Sequence, residues 1–531
     1  MRAQRIVEAY LHLISTSAEK EVERFLKSFL PGTEFAGKLK AVGGYVRDEY
    51  LSLIKNDPSI ESKDLDIVVN MRDGAEKVTN FIYDTFNKKT LWDKVKELFS
   101  GTSNNPVSKP RQLGKGYPIW QITFKKDITY KSEKYHTRGA VIEFADTMKE
   151  VFPDPSSRQR QTLPADLKED IERRDFTVNM LLKDMTTGEI EDATGVSKED
   201  IAKGILRGHP GVSLDKIFND DPLRMLRLIR FQAKYGWDIP RSVLKTVKRN
   251  ADRIEIISSE RIKEELEKIM KLGKLKKAVK IMSATGLLKH VLPEVEALKG
   301  VKQPEKHHSE GDVYRHTLMV LDNTKPGIES QLAALLHDIG KPKTQDLLED
   351  KITFYGHDDV GSEIAAAILK RLKFDNKTID KVKKMVKYHM RAHRIGDKPS
   401  VKTLRKFVRD VGEETIDAVL DLSRADELGR IPSSENIPDL RKKIEEARKL
   451  PIKAEPVLDG KEIMKLLGLK SGPDVGKAKK LLTDIADDYA EKGKRLTKSR
   501  AKKELLKQFG GKKTLASNLR IIAYNLIDNT P

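Results

Sequence analysis

The spacing of apolar positions changes along the chain. Residues 1–30 carry Ile6, Tyr10, Leu11, Leu13 and Ile14, then Val22, Phe25, Leu26, Phe29 and Leu30, at helical intervals, which predicts an amphipathic lead-in. From 38 to 150 short strand-like runs alternate with helical stretches. Leu39-Lys40-Ala41-Val42, Lys63-Asp64-Leu65-Asp66-Ile67-Val68-Val69, Trp120–Phe124 and Ala140–Phe144 read as strands. Residues 148–165 hold Pro, Ser and charge without a period and read as a mobile loop. From 215 to 299 the pattern is helical, with Pro222 early in a helix that opens at Asp221-Pro222-Leu223-Arg224.

The second of these strands carries candidate chemistry. Asp64 and Asp66 stand two apart, so a strand turns both carboxylates to one face, about 5–7 Å from each other. Such a pair repels unless a cation lies between, and Mg2+ is the hard ion that takes carboxylate and phosphate oxygens. Taken alone, the pair reads more readily as solvated acids at a strand end. The glycines upstream add to it: Gly43-Gly44 forms a tight turn between a strand and a helix starting near Val46. Backbone N–H groups at such a turn can approach a phosphate, and Arg47 can reach the same anion. Further on, Arg173-Arg174-Asp175-Phe176-Thr177-Val178-Asn179 groups two guanidiniums, an acid and an amide, a set suited to triphosphate and ribose hydroxyls. Arg224, Arg227 and Arg230 follow at three-residue steps on one helix flank, with Asp221 a turn before them.

Gly-Gly, then Asp-Leu-Asp, then Arg-Arg-Asp, in this order between about 38 and 270, closely resemble the bacterial-type (class II) CCA-adding tRNA nucleotidyltransferases. The resemblance implies an α+β fold: a polymerase-β-like head with a mixed sheet and helices, followed by all-α neck, HD and tail domains. It implies catalysis at Asp64, Asp66 and Glu143, with two Mg2+ on the Asp pair. Nucleotide contacts would come from Gly43, Gly44, Arg47, Arg174, Asp175, Asn179, Asp221, Arg224, Arg227 and Arg230, the Asp221/Arg224 pair acting as the template that selects C and A. In the family a flexible loop in the 148–165 interval is needed for the terminal A, so its presence favours addition of all three nucleotides. The segments 457–464 and 468–476 resemble the family's tail, which grips tRNA. The expected divisions are a helical extension 1–37, head 38–212, neck 213–299, HD domain 300–432 and basic tail 433–531.

A second site lies between these regions. His316, His337-Asp338 and Asp426, with His357 and His389 between the last two, match the HD phosphohydrolase pattern. Imidazoles with carboxylates suit a borderline divalent ion such as Ni2+, Mn2+ or Co2+, and the extra histidines allow two. Members of the resembled family that carry such a domain have 2′,3′-cyclic phosphodiesterase and phosphatase activities, so trimming of tRNA ends is the implied use.

Composition narrows the field. The 531 residues include no cysteine, which excludes disulfides and thiolate sites. No apolar run is long enough to span a membrane, so a cytoplasmic protein is expected, monomer or homodimer. The net charge of +20 points to a polyanion. Residues 441–531 hold 23 Lys/Arg against 12 Asp/Glu, a net of +11, so more than half of that charge sits in the tail. Aromatic residues make up only 6%, which favours phosphate and shape recognition over base stacking. The expected partners are therefore tRNA, ATP and CTP. The rival readings are a poly(A) polymerase, a split CC- or A-adding enzyme, and an RNA-binding scaffold with an inactive head.

Overall fold

The computed structural model describes residues 17–62, 64–87, 105–114, 118–151, 161–304, 311–348, 351–395, 399–430, 436–449, 457–491, 494 and 496–509. The chain divides into two compact units, Met1–Pro293 and Glu294–Pro531.

The first unit is built on a seven-stranded mixed sheet. Its strands are β1 (Leu39–Val42), β2 (Asp66–Val69), β3 (Arg111–Leu113), β4 (Ile119–Thr123), β7 (Val141–Asp146), β10 (Leu181–Asp184) and β11 (Ile190–Asp192), in the order β11-β10-β1-β2-β7-β4-β3. Only β2 and β7 run parallel. Between β4 and β7 the pair β5 (Ile128–Tyr130) and β6 (Glu133–Tyr135) forms a separate ribbon. Register sorts the faces: Val42, Asp66, Glu143, Gln121 and Leu182 share one side. The short helix Leu167–Glu172 covers part of that side, packing Leu167 and Ile171 on Val42, Val68, Met180 and Leu182. On the opposite side Lys183 reaches Glu23 of the helix Ala18–Phe29 and Glu49 of the helix Gly44–Lys55, a buried bridge that pins both helices to the sheet.

The expected loop at 148–165 is a correction. Met148–Val151 (β8) pairs antiparallel with Gln161–Pro164 (β9), closing a ribbon whose connection, 152–160, lies outside the described residues. Neither strand alternates apolar and polar residues strongly, so period-two reading does not reveal the ribbon. Asp64 also departs slightly from expectation: β2 begins at Asp66, and Asp64 precedes it in extended chain. The exposed–buried–exposed pattern over Asp64, Leu65 and Asp66 still puts the two acids on one side.

After β11 the first unit is helical, through Leu214–Asp220, the arginine-bearing helix Leu223–Tyr235, Arg241–Arg249, Ser259–Lys271 and Leu275–Ala284. The second unit gathers Val313–Asp322, Ile328–Leu336, His357–Arg371, Asn376–Arg394 and Glu413–Leu428. It is not purely helical as expected, since β12 (Asp346–Leu348) and β13 (Lys351–Thr353) form a small hairpin. Three further helices, Gly460–Leu467, Pro473–Glu491 and Lys498–Phe509, bury Leu458, Ile463, Ala478, Leu482 and Leu505 together. Ion pairs of Lys480 with Asp410, Lys402 with Asp488 and Arg409 with Asp484 tie them to the helix Val401–Val411.

Gly340 shows why a glycine follows the His-Asp pair. A Cβ there would stand 2.2 Å from the His357 carbonyl oxygen and 2.7 Å from the Gly361 nitrogen, so the close approach of the helix His357–Arg371 requires its absence. Gly340→Ala is expected to destabilise the second unit by about 1–3 kcal/mol. Amide exchange should quicken in Ile328–Leu336 and His357–Arg371 while the sheet of the first unit keeps its protection.

Candidate functional site

The parallel pairing of β2 and β7 sets Asp66 opposite Glu143, and the antiparallel neighbour β4 sets Gln121 opposite Glu143 in turn. Gln121 Nε2 donates to Glu143 Oε1 at 2.9 Å, which fixes one carboxylate oxygen. Asp66 is open to solvent yet crowded by protein. That surrounding protein, then Glu143, then Asp64 push its carboxyl up to about 6, with Arg174 alone opposing. Three acids therefore converge with too little positive charge near them, the condition a divalent cation relieves. They are looser than a closed metal cage: the described trios whose ligand atoms lie within 4.8 Å of one another do not include them.

The Gly43-Gly44 turn forms as expected, with Gly43 at φ +71° before the helix Gly44–Lys55. Arg47 does not stand free beside it. It is buried, with Nε donating to Asp48 Oδ1 (2.8 Å), Nη1 to Asn179 Oδ1 (2.6 Å) and Nη2 to the Tyr235 hydroxyl (2.5 Å). As placed, its guanidinium organises the site from behind. Asn179 Nδ2 donates to Asp175 Oδ1 at 2.9 Å, and Asp175 Oδ2 takes Arg227 Nε and Nη2 at 2.8 and 2.6 Å. Burial alone would raise the Asp175 carboxyl, but Arg227 and the Asn179 amide hold it well below the usual carboxylate range.

Asp170, a residue the sequence did not single out, orients the paired arginines. It is fully buried and accepts from Arg173 through Oδ1 and from Arg174 through Oδ2 (2.9 Å), while the Met148 amide donates to it at 3.2 Å. Arg174 Nε is buried without a hydrogen-bond partner. Arg224 is buried as well, donating to the Ile217 carbonyl at 3.1 Å and to the Arg173 carbonyl. Asp221, capping the preceding helix, accepts from Arg261 at 2.8 Å, and Arg230 pairs with Glu265 at 2.5 Å. The structure thus joins Arg224 and Arg227 to the Arg-Arg-Asp segment, but Asp221 and Arg230 find partners on the helix Ser259–Lys271. Asp221 and Arg224 stand a turn apart, joined by the Arg224 amide donating to the Asp221 carbonyl at 3.0 Å, while their side chains take other partners.

In the second unit all six HD residues meet. His316, His337 and Asp426 form one trio with ligand atoms within 4.8 Å, and Asp338, His357 and His389 form another. Three imidazoles are aimed in the same way: His337, His357 and His389 each direct Nδ1 at the carbonyl three residues back, at 2.9, 2.8 and 2.6 Å. His316 Nδ1 lies 3.3 Å from the Gly429 carbonyl. Fixing Nδ1 to a carbonyl turns Nε2 inward as a lone-pair donor. The Nε2 atoms of His357 and His389 are buried without a hydrogen-bond partner. Burial, then the neighbouring imidazoles, push His389 well below its ordinary value, so it stays neutral. Against the opposing effect of burial, His337 and Lys341 hold Asp338 ionised, and Arg430 and His316 do the same for Asp426. His357 and His389, both lowered chiefly by burial, beside ionised carboxylates fit a transition metal. His393, which the sequence reading missed, sits 2.8 Å from Asp426 through Nε2; its signal was present as the i, i+4 partner of His389 on one helix.

The sequence matches the family described as "Poly A polymerase head domain" over residues 39–207. It matches "Probable RNA and SrmB- binding site of polymerase A" over 236–299 and "HD domain" over 313–431. A CC-adding tRNA nucleotidyltransferase of Thermus thermophilus is 32% identical over 363 residues, covering 66% of this chain and 80% of that protein. An A-adding tRNA nucleotidyltransferase of Deinococcus radiodurans is 31% identical, covering 61% and 76%. In fold, the Bacillus stearothermophilus CCA-adding enzyme in complex with CTP superposes with a TM-score of 0.55 at 20% identity, covering 89% of this chain and 94% of that one.

Removing the Asp170 carboxylate leaves two half-buried guanidiniums without their shared anion. Asp170→Ala is expected to cost the first unit about 3 kcal/mol, read from urea unfolding followed by the fluorescence of Trp237. It should also loosen the β8–β9 ribbon, whose Met148 amide and carbonyl are held by Asp170 and Arg173.

Proposed function

The chain belongs to the tRNA nucleotidyltransferase family and is an enzyme of nucleotidyl transfer; from that premise we propose that it adds C, C and A to tRNA 3′ ends from CTP and ATP. The observation that carries the site assignment is the convergence of Asp64, Asp66 and Glu143, where burial, together with repulsion from Glu143 and Asp64, lifts Asp66 to about 6. Asp64 and Asp66 would hold Mg2+, with Glu143, oriented by Gln121, at its side. The ions supply charge neutralisation and lower the pKa of the attacking hydroxyl when bound. The chain's own groups do the rest. Arg174, steadied by Asp170, neutralises triphosphate oxygens, and the backbone at Gly43 and Gly44 lies open to the same anion. Asp175 and Asn179 orient the ribose side, and Asp221 with Arg224 offers acceptor and donor groups to a base edge. In line attack on the α-phosphorus then releases pyrophosphate.

The relatives split between CC-adding and A-adding enzymes, so the extent of addition is decided by experiment. A gel of tRNA lacking its 3′ end, incubated with CTP, ATP and both, should show two additions with CTP and three with the mixture. Open-ended A tails would instead support a poly(A) polymerase. Asp64→Ala and Asp66→Ala should each lower incorporation by at least about 10³-fold with tRNA binding retained. Arg224→Ala should blur the choice between CTP and ATP. Full-rate incorporation by either Asp variant overturns the assignment.

The HD centre is proposed to hydrolyse phosphoesters at tRNA ends with one or two ions such as Ni2+, Mn2+ or Co2+ held by His316, His337, Asp338, His357, His389 and Asp426. Support comes from the buried, unpartnered Nε2 atoms of His357 and His389. Purified protein loaded with Ni2+ or Mn2+ should open a 2′,3′-cyclic phosphate, and His389→Ala should lose both metal by elemental analysis and turnover. The proposed divisions remain head 38–212, neck 213–299, HD domain 300–432 and basic tail 433–531, with the tail contacting tRNA. Among the described residues no helix is long and apolar enough to cross a membrane, in keeping with the cytoplasmic location proposed here.

A further inference from the structure

Sliding or rotating the arginine helix would change which edge of a base meets Asp221 and Arg224, so that helix needs a reference point on the sheet domain. Two latches supply it. Arg227 closes on Asp175, and eight residues later, about two helical turns, Tyr235 closes on Arg47 and Asp48. Asn179 bonds to both Asp175 and Arg47, so Arg227, Asp175, Asn179, Arg47 and Tyr235 form one continuous hydrogen-bonded series. The Tyr235 hydroxyl accepts from Arg47 at 2.5 Å and donates to Asp48 Oδ1 at 2.9 Å. Its ring lies 4.8 Å from the Arg47 guanidinium and stacks on Trp237 with centroids 4.4 Å apart. Arg47 belongs to the first turn after Gly43-Gly44, whereas Tyr235 is the last residue of the arginine helix.

We propose that Tyr235 is a positioning residue for nucleotide selectivity: its hydroxyl sets the register of the arginine helix against the Gly-Gly turn, so that the base-reading and phosphate-binding groups face one nucleotide together. This rests on the proposed roles of Asp221 and Arg224. The ring and the hydroxyl do separable jobs. Stacking on Trp237 contributes to stability, whereas the hydroxyl carries the direction-dependent bonds.

The test uses the full chain, tRNA lacking its 3′ end, and kcat and KM for CTP and ATP at the first added position. Tyr235→Phe keeps the ring and should lower the CTP-over-ATP ratio of kcat/KM about fivefold, through kcat for CTP more than through KM. Trp237→Phe should lower the melting temperature and leave that ratio in place. An unchanged ratio for Tyr235→Phe, or an equal loss in Trp237→Phe, overturns the inference and assigns Tyr235 to packing alone. If Arg224→Ala keeps full selectivity, the base-reading assignment falls and this inference with it. If Arg224→Ala blurs the choice while Tyr235→Phe does not, only the role of Tyr235 fails.

Discussion

A buried carboxylate is the constraint on which the first unit turns. Asp175 sits where the sheet domain meets the arginine helix, and every one of its bonds is to a group that must be placed for it: Arg227, Asn179 and the Phe176 amide. An uncompensated charge there would cost several kcal/mol, so the folded state admits only arrangements in which Arg227 reaches it. That requirement fixes the helix that carries Arg224 and Arg230. It also fixes the short 3-10 turn Thr177–Asn179, and through Asn179 the guanidinium of Arg47. A polar network of this kind gives specificity of arrangement more than net stability.

The two candidate sites solve opposite charge problems. In the first unit burial and then the neighbouring acids Glu143 and Asp64 raise the carboxyl of Asp66, and Arg174 alone opposes them. Around Asp338 and Asp426 the balance runs the other way, with the cations Lys341 and Arg430 beside two carboxylates that stay ionised. The first arrangement would suit the Mg2+ proposed for nucleotidyl transfer. The second has Nδ1 atoms tied to backbone carbonyls, which presets its imidazoles for the metal proposed there. The donor chemistry agrees: oxygen ligands alone suit Mg2+, and imidazole nitrogens suit a transition metal.

Much of this was legible in the order of residues. Strand β1, the Gly-Gly turn and the helix after it follow from a short apolar run, a left-handed glycine and a helical pattern, all local signals. The HD set was legible because a His-Asp pair closing an apolar helix has few other uses. Local signals could not report partners far along the chain. Arg47 looks like a free phosphate ligand until Asn179 and Tyr235, 132 and 188 residues away, are brought to it. Asp170 looked like one acid among many near a loop, and its burial between two arginines depends on the ribbon β8–β9 that apolar periodicity could not reveal.

The same comparison explains why the arginine helix misled in part. Three arginines at three-residue steps look equivalent, yet their fates diverge because a helix flank drifts around the axis as it advances. Arg224 ends against backbone carbonyls, Arg227 on the buried acid of the sheet domain, and Arg230 on Glu265 of a neighbouring helix. Arg227 and Arg230 therefore hold the helix from two sides. Arg224 donates instead to two carbonyl oxygens, with the Asp175 carboxylate near enough to feel its charge. Of the three it alone has no carboxylate among its side-chain hydrogen bonds in the described residues, and the base-reading role proposed for it rests on that difference, which the spacing does not show.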